Sequence, residues 1–417
     1  AALAERGLAV QPFKKGPDDI DPMWLGQAAG LPCHNLDFYC MSQEEILAAV
    51  GQYSSNADSS LIEGNKGLYD GLDLDGSNSN AALATLTHTP VILVLDARGM
   101  TRGIAPLILG YQAFDPAVKI AGVILNQLGG SRHEAKLRAV IEHYTDVPVI
   151  GGVHRDPALL IDERHLGLIP SNEASTADRK IIEVRDHIKE QVDLERLLAV
   201  AGDDTLDFTR PPPVHGITTP AVRIGIAHDA AFGFYYPDDL AALQQAGAEL
   251  VPFNTLTDSS LPAVDGLFIG GGFPESHLQT LAGNTALRAD IRKAIEGGLP
   301  AYAECGGLMY LSRSIAWNGK QSDMVGIIPA DTVMHARPQG RGYVRLRETP
   351  AAPWHSSGPP GEFSAHEFHY SSLENTTGPL TFAYEVLRGT GIDGRHDGIV
   401  INNLLACYSH MRDTRQH

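Results

Sequence analysis

Short apolar runs without internal alternation recur along the first half of the chain: LAVQPF, SSLIEG, PVILVLDA, IAGVILNQL, VPVIGGV and LGLIP. A strand that is apolar at every position has no polar face to offer water, so it must be covered on both sides, which is the condition of a parallel sheet in an α/β layer. The covering elements are at hand. MSQEEILAAVGQY and SRHEAKLRAVIEHY carry helical spacing, with Ser42 and Ser131 as expected N-caps, and AALAERG reads as the end of a helix stopped by Gly7. In AGDDTLDFTRPPPVHGITTPA three consecutive prolines hold the backbone extended and the periodicity is lost. The alternation then restarts with VRIGIAHD, AALQQAGAELVPF, VDGLFIGGGFP, a helix to about 297, and LPAYAECGGLMYL. The expectation is an α/β protein of two domains, 1–205 and 222–417, joined by a Pro-rich linker at 206–221, and 417 residues suits two cores better than one.

Composition narrows the function classes. The formal charge is −18, from 32 Lys plus Arg against 50 Asp plus Glu, so a nucleic-acid backbone would be repelled on average. Cys33, Cys40, Cys305 and Cys407 show neither metal-ligand spacing nor a disulfide framework, which points to a reducing cytoplasm. No apolar run reaches the roughly 18 residues of a membrane span, and no signal peptide is recognisable, so neither membrane nor export is expected. The oligomeric state is open, with room for a homodimer.

Cys305 stands between the apolar run PAYAE and two glycines, before GGLMYLSRS, which reads as a helix. A buried cysteine is ordinarily a small hydrophobe. On a sharp strand-to-helix turn, however, it is a nucleophile held at the carboxyl edge of a sheet, its thiolate favoured by the helix N-terminus. Gly270, Gly271 and Gly272 in FIGGGFPE end another strand, and the backbone N–H groups of Gly271 and Gly272 are candidates to receive an oxyanion. A cysteine nucleophile needs a base. Among 17 histidines His410, after NNLLACYS, is best placed, with His366 and His369 in AHEFHYS as rivals, and Cys407 is expected to be core.

GGGFPE, AECGGLMYL, HEFHYS and LLACYSH, in this order across nearly 200 residues, together resemble the triad-type glutamine amidotransferase domain of the cobyrinic acid a,c-diamide synthase family. The resemblance implies that Cys305 attacks the glutamine side-chain amide and that His410 activates it, releasing ammonia. Related amidotransferases carry a glutamate two residues after the histidine; here Arg412 stands there, so the orientation of His410 must come from elsewhere.

Turning a carboxylate into an amide requires that an oxygen leave, most simply from an acyl phosphate made with ATP and Mg2+. FKKGPDDIDPMWL and LIEGNKGLYDG resemble the synthase half of the same family, a P-loop-type parallel-sheet domain like dethiobiotin synthetase. LDARGMTRG, VILNQLGGSRHEAKL and ERHLGLIPSNE extend the resemblance over the whole chain. It implies Lys14 and Asn126 for ATP, Asp18 and Glu63 for the metal, and Asp19, Asp21, Lys66 and Asp70 for a tetrapyrrole polycarboxylate. Asp19 replaces the family's tyrosine and Lys66 an apolar residue, which keeps a sirohaem-type ring open beside cobyrinic or hydrogenobyrinic acid. A noncatalytic corrinoid- or nucleotide-binding relative is the contrasting class. No G-x-x-x-x-G-K-[ST] occurs, so the resemblance implies an N-terminally truncated copy lacking about 15 to 30 residues by usual element lengths.

Overall fold

The computed structural model describes residues 1–417 except 165–166, 174–175, 203–219, 355–360, 413 and 415–417. Most of the expected linker, 206–219, therefore lies outside the described residues. The chain divides into two compact units, residues 1–38 with 42–211, and residues 39–41 with 212–417.

In the first unit the six longer described strands are parallel, as expected, but they form two sheets rather than one. Val10–Lys15 lies between His34–Leu36 and Ser59–Glu63, with Lys14 opposite both Asn35 and Glu63. Val91–Asp96, Ile120–Leu128 and Val149–His154 make the second sheet in that order. The helices Ile104–Phe114 and Ser131–Tyr144 cover it through Ile104, Ile108, Leu137 and Ile141, all fully buried. Coverage is incomplete on other faces, since Leu61 and Val94 are 42% and 61% exposed.

Local details follow the residues. Ser42 caps Gln43–Ser54 in a reciprocal capping box with Glu45, as expected. Ser131 does not cap its helix: it is the first helical residue, and Gly130, at φ 139°, takes the cap because glycine alone enters that conformation freely. LGLIP was expected as a strand of the parallel sheet; Leu166 lies outside the described residues, and Gly167–Leu168 is extended but paired antiparallel with Glu163–Arg164, while Pro170 cannot donate to a ladder.

The second unit is built on a nine-stranded sheet. Ala248–Phe253, Val222–Ala227, Gly266–Ile269, Ala301–Glu304 and Leu404–Cys407 run parallel, and four antiparallel strands continue from the last of them. Thr285–Glu296 lays Leu287, Ile291 and Ile295, one face at helical spacing, on a core containing Ile269, Ala303, Leu308, Leu404 and Ala406. Truncating one such buried side chain to alanine costs about 2–5 kcal/mol. GGLMYLSRS is not helical throughout: the helix is Gly306–Leu311, and a strand, Ser312–Trp317, follows at once. The buried Ser312 hydroxyl, with one proton to donate, lies 2.7 Å from the Met309 carbonyl and 2.9 Å from the Ser314 carbonyl, and this local bonding competes with a further helical turn.

Candidate active site

Ala301–Glu304 and Leu404–Cys407 are neighbours, with Glu304 opposite Cys407. Because the two strands point the same way, the residues after each emerge at the same carboxyl edge of the sheet. Cys305 follows the first strand directly, and His410 comes three residues after the second. Cys305 has φ 44° and ψ −100°, a conformation rarely taken by a residue with a Cβ. Its N–H donates to the Cys407 carbonyl at 2.8 Å and its carbonyl accepts from Met309 at 3.0 Å, so the strained turn is held on both sides.

The glycines are required by close approach. A Cβ at Gly306 would stand 2.7 Å from the Gly272 oxygen, one at Gly307 2.1 Å from the Ile269 oxygen, and one at Gly271 2.7 Å from His410 Cε1. The backbone of Gly271 and Gly272 is thus packed against the histidine and against the turn that carries the thiol. The helix after Cys305 is six residues long, so the dipole expected to favour a thiolate is that of a short element.

His410 is fixed first by its backbone, which exchanges hydrogen bonds with His366 at 2.8 and 3.3 Å. The two rings stack with centroids 4.8 Å apart, and Nδ1 of His366 meets the Tyr236 hydroxyl at 3.2 Å. The Asp397 carboxylate accepts from the N–H groups of Tyr408 and Ser409 and from the Ser409 hydroxyl, pinning the segment that leads to His410. His369 is committed elsewhere: its ring stacks on Tyr408 at 3.8 Å, Nδ1 contacts the Ser371 carbonyl, and Nε2 lies 3.6 Å from buried Glu367. Cys407 is fully buried, and burial pushes its thiol well above the usual range, as befits a core residue. Arg412 directs its guanidinium to Asp238, at 2.9 Å, and over the Tyr236 ring.

In the first unit Lys14, buried, contacts Asp21 at 2.6 Å, Glu63 at 3.3 Å and Asp18 at 4.0 Å. Burial opposes its charge, but the carboxylates of Glu63, Asp21 and Asp18 outweigh it and hold the ammonium above its usual value. Burial, with the charge of Asp21 second, pushes the Asp18 carboxyl up to about 6, and burial raises Glu63 as well. Asp18 Oδ1 accepts from the N–H groups of Ile20 and Asp21 at the start of Ile20–Ala29, leaving Oδ2 toward Lys14. Asn35, which the sequence reading passed over, donates to the carbonyls of Gly16 and Asp18 and so shapes this turn. One ammonium among three carboxylates leaves excess negative charge on oxygen donors, a set that fits Mg2+.

The other expected residues fall around this cluster unevenly. Asp19, half-buried, is the residue at which Ile20–Ala29 begins. Lys66 is exposed at φ 53°, and Asp70 accepts from the Gly67 N–H at 3.0 Å, closing a turn. Asn80, also missed, bonds the backbone of Asn65 and Gly67 and gives this loop its shape. Asn126 ends up in the other sheet, opposite Asp96, with Oδ1 accepting from the Gln127 N–H.

A strained cysteine and a histidine after neighbouring strand ends of one α/β unit, with a lysine–carboxylate cluster in a second, define a two-part glutamine-dependent ligase. Residues 223–415 match the CobB/CobQ-like glutamine amidotransferase domain and residues 38–161 an AAA domain. The chain is 46% identical over 419 residues to the cobyrinate a,c-diamide synthase of Magnetococcus marinus, covering 99% of this chain and 89% of that one. The synthases of Methanosarcina acetivorans and Archaeoglobus fulgidus are 41% and 39% identical, with 99% and 98% of this chain and 88% and 89% of theirs covered. The chain belongs to the cobyrinate a,c-diamide synthase family.

Proposed function

We propose that the protein uses ATP and glutamine to amidate the a and c acetate carboxylates of cobyrinic acid or hydrogenobyrinic acid. The observation that carries the reading is the Cys305–His410 edge within a chain that matches synthases of this name over nearly its whole length. His410 takes the thiol proton of Cys305, and the sulfur attacks the glutamine side-chain carbonyl carbon. Negative charge on the carbonyl oxygen is received by the backbone at Gly271 and Gly272. The C–N bond breaks as His410 returns the proton to nitrogen, ammonia leaves, and water hydrolyses the thioester to glutamate.

In the first unit the ring carboxylate takes the terminal phosphoryl group of ATP, and ammonia displaces phosphate from the resulting acyl phosphate. Lys14 stabilises phosphate charge, with Asn126 contacting the nucleotide, and Asp19, Asp21, Lys66 and Asp70 address the ring's carboxylate side chains. Asp18 and Glu63 would hold Mg2+, which when bound neutralises phosphate charge. The test is mass spectrometry of the product made from cobyrinic acid, ATP and glutamine. A loss of about one dalton per carboxyl-to-amide exchange, twice, is expected; an unchanged mass with an active glutaminase refutes the substrate.

A further inference from the structure

The ring of His410 needs a partner on Nδ1 if Nε2 is to serve as base, because a hydrogen bond at one ring nitrogen fixes the tautomer and the orientation of the other. Position 412, where related amidotransferases place a glutamate, holds an arginine turned to Asp238. A different carboxylate occupies the neighbourhood. Glu304, the residue before the nucleophile, lies with Oε2 3.6 Å from His410 Nδ1, and both side chains are almost fully buried, at 6% and 4% exposure.

The other oxygen of Glu304 is already committed. Oε1 accepts from the Met411 N–H at 2.9 Å and from the Tyr302 hydroxyl at 2.6 Å. These two bonds lock the rotamer, and the N–H of the residue after His410 is one of the donors. Oε2 is thereby presented to the imidazole from the adjoining strand end. A buried carboxylate facing an imidazole favours its protonated form, which is the form that follows removal of the thiol proton.

We propose that Glu304 is the positioning residue of this amidotransferase, completing a Cys305–His410–Glu304 relay in which the carboxylate comes from the residue before the nucleophile. The proposal rests on the glutaminase reading of Cys305 and His410. Sequence order hides the relay, since Glu304 and His410 are distant in the chain and meet only through the parallel register of Glu304 with Cys407.

The test compares the full-length protein with Glu304→Gln and Tyr302→Phe. Three readouts are taken: glutaminase kinetics, synthesis with ammonium chloride, and the pH dependence of iodoacetamide alkylation at Cys305, measured by peptide mass. For Glu304→Gln the glutaminase kcat is expected to fall roughly tenfold to a hundredfold with little change in KM, while ammonia-driven synthesis is retained. Its alkylation profile should move to higher pH, because the thiolate–imidazolium pair loses its carboxylate. Tyr302→Phe removes one of the two bonds that hold Oε1, leaving the Met411 N–H, and should move the profile in the same direction by less than Glu304→Gln does.

A wild-type alkylation profile in Glu304→Gln overturns the relay and leaves Glu304 a structural anchor. If Glu304→Gln does not fold, Glu304→Asp, which withdraws the carboxylate by one methylene, is read the same way. A smaller shift in the same direction supports the relay, and an unchanged profile and kcat overturn it. Failure of the underlying reading looks different: glutamine turnover in wild type would survive Cys305→Ser.

Discussion

Cys305 carries its side chain at φ 44°, ψ −100°, and the prediction is that the protein is more stable with glycine there than with alanine. A non-glycine residue in such a region costs about 1–3 kcal/mol. Glycine removes that strain but gives up about 0.5–1 kcal/mol of chain entropy relative to alanine. Both variants lose the same thiol, so its burial cancels in the comparison. The difference, about 1 kcal/mol in favour of Cys305→Gly at the middle of these ranges, reverses the usual order of the two residues. For a folding unit of roughly 200 residues this is a gain of a few degrees, at about 2–4 °C per kcal/mol. The assay is thermal unfolding of Cys305→Gly and Cys305→Ala by near-ultraviolet circular dichroism at two scan rates, with ammonia-driven synthesis confirming that both retain the first unit. Equal or greater stability of Cys305→Ala would refute the claim that the turn is strained.

Cys305→Ser is expected to abolish synthesis from glutamine while ammonium chloride still supports it, measured by product mass; loss with both donors would refute the division of labour. His410→Ala should lower glutaminase turnover by roughly a hundredfold or more. His369→Ala should act mainly on stability, because its ring is stacked on Tyr408; the reverse pattern in kinetics and melting would exchange their roles. Glu63→Gln should remove ATP-dependent synthesis with either nitrogen donor, and full activity would place the metal elsewhere. The Asp18 carboxyl, raised to about 6 from 3.8, favours its neutral form in the fold, so its contribution to stability is complete below the unfolded value and is lost as pH rises through about 6. Cation binding needs the ionised form, so Mg2+ affinity in calorimetric titration with ATP should rise between about pH 5 and 7, and Asp18→Asn should flatten that rise.

The thiol, the histidine and the glycine strand end were legible because each is a local signal: apolar strand, glycine, then a reactive residue at a predictable edge. Register was not legible. The approach of Glu304 to His410 depends on which strands are neighbours, and the decision between His366, His369 and His410 depends on which face of Glu362–His369 the first two take and on where the end of Leu404–Cys407 brings the third. The parallel character of the first unit followed from its unbroken apolar runs, yet the split into two sheets did not, because hydrophobicity says which faces are covered and not which edges pair. Ser131 misled because a capping residue type is a weak signal beside a glycine pair that can enter the helix at positive φ. Asn35 and Asn80 were missed because a loop asparagine bonding backbone carries no periodic signature.

The four thiols differ enough in surroundings to make the protein its own counter of working sites. Cys33, Cys40 and Cys407 are 2%, 1% and 0% exposed, and burial lifts Cys33 to about 12 and Cys407 well above the usual range, so neither of these two offers a thiolate near neutrality. Cys305, 7% exposed, follows a strand end at the carboxyl edge of the sheet, on a turn held at φ 44°. An alkylating glutamine analogue should therefore add one mass increment per folded chain, and the labelled fraction of any preparation gives its titre of competent amidotransferase centres without a turnover assay.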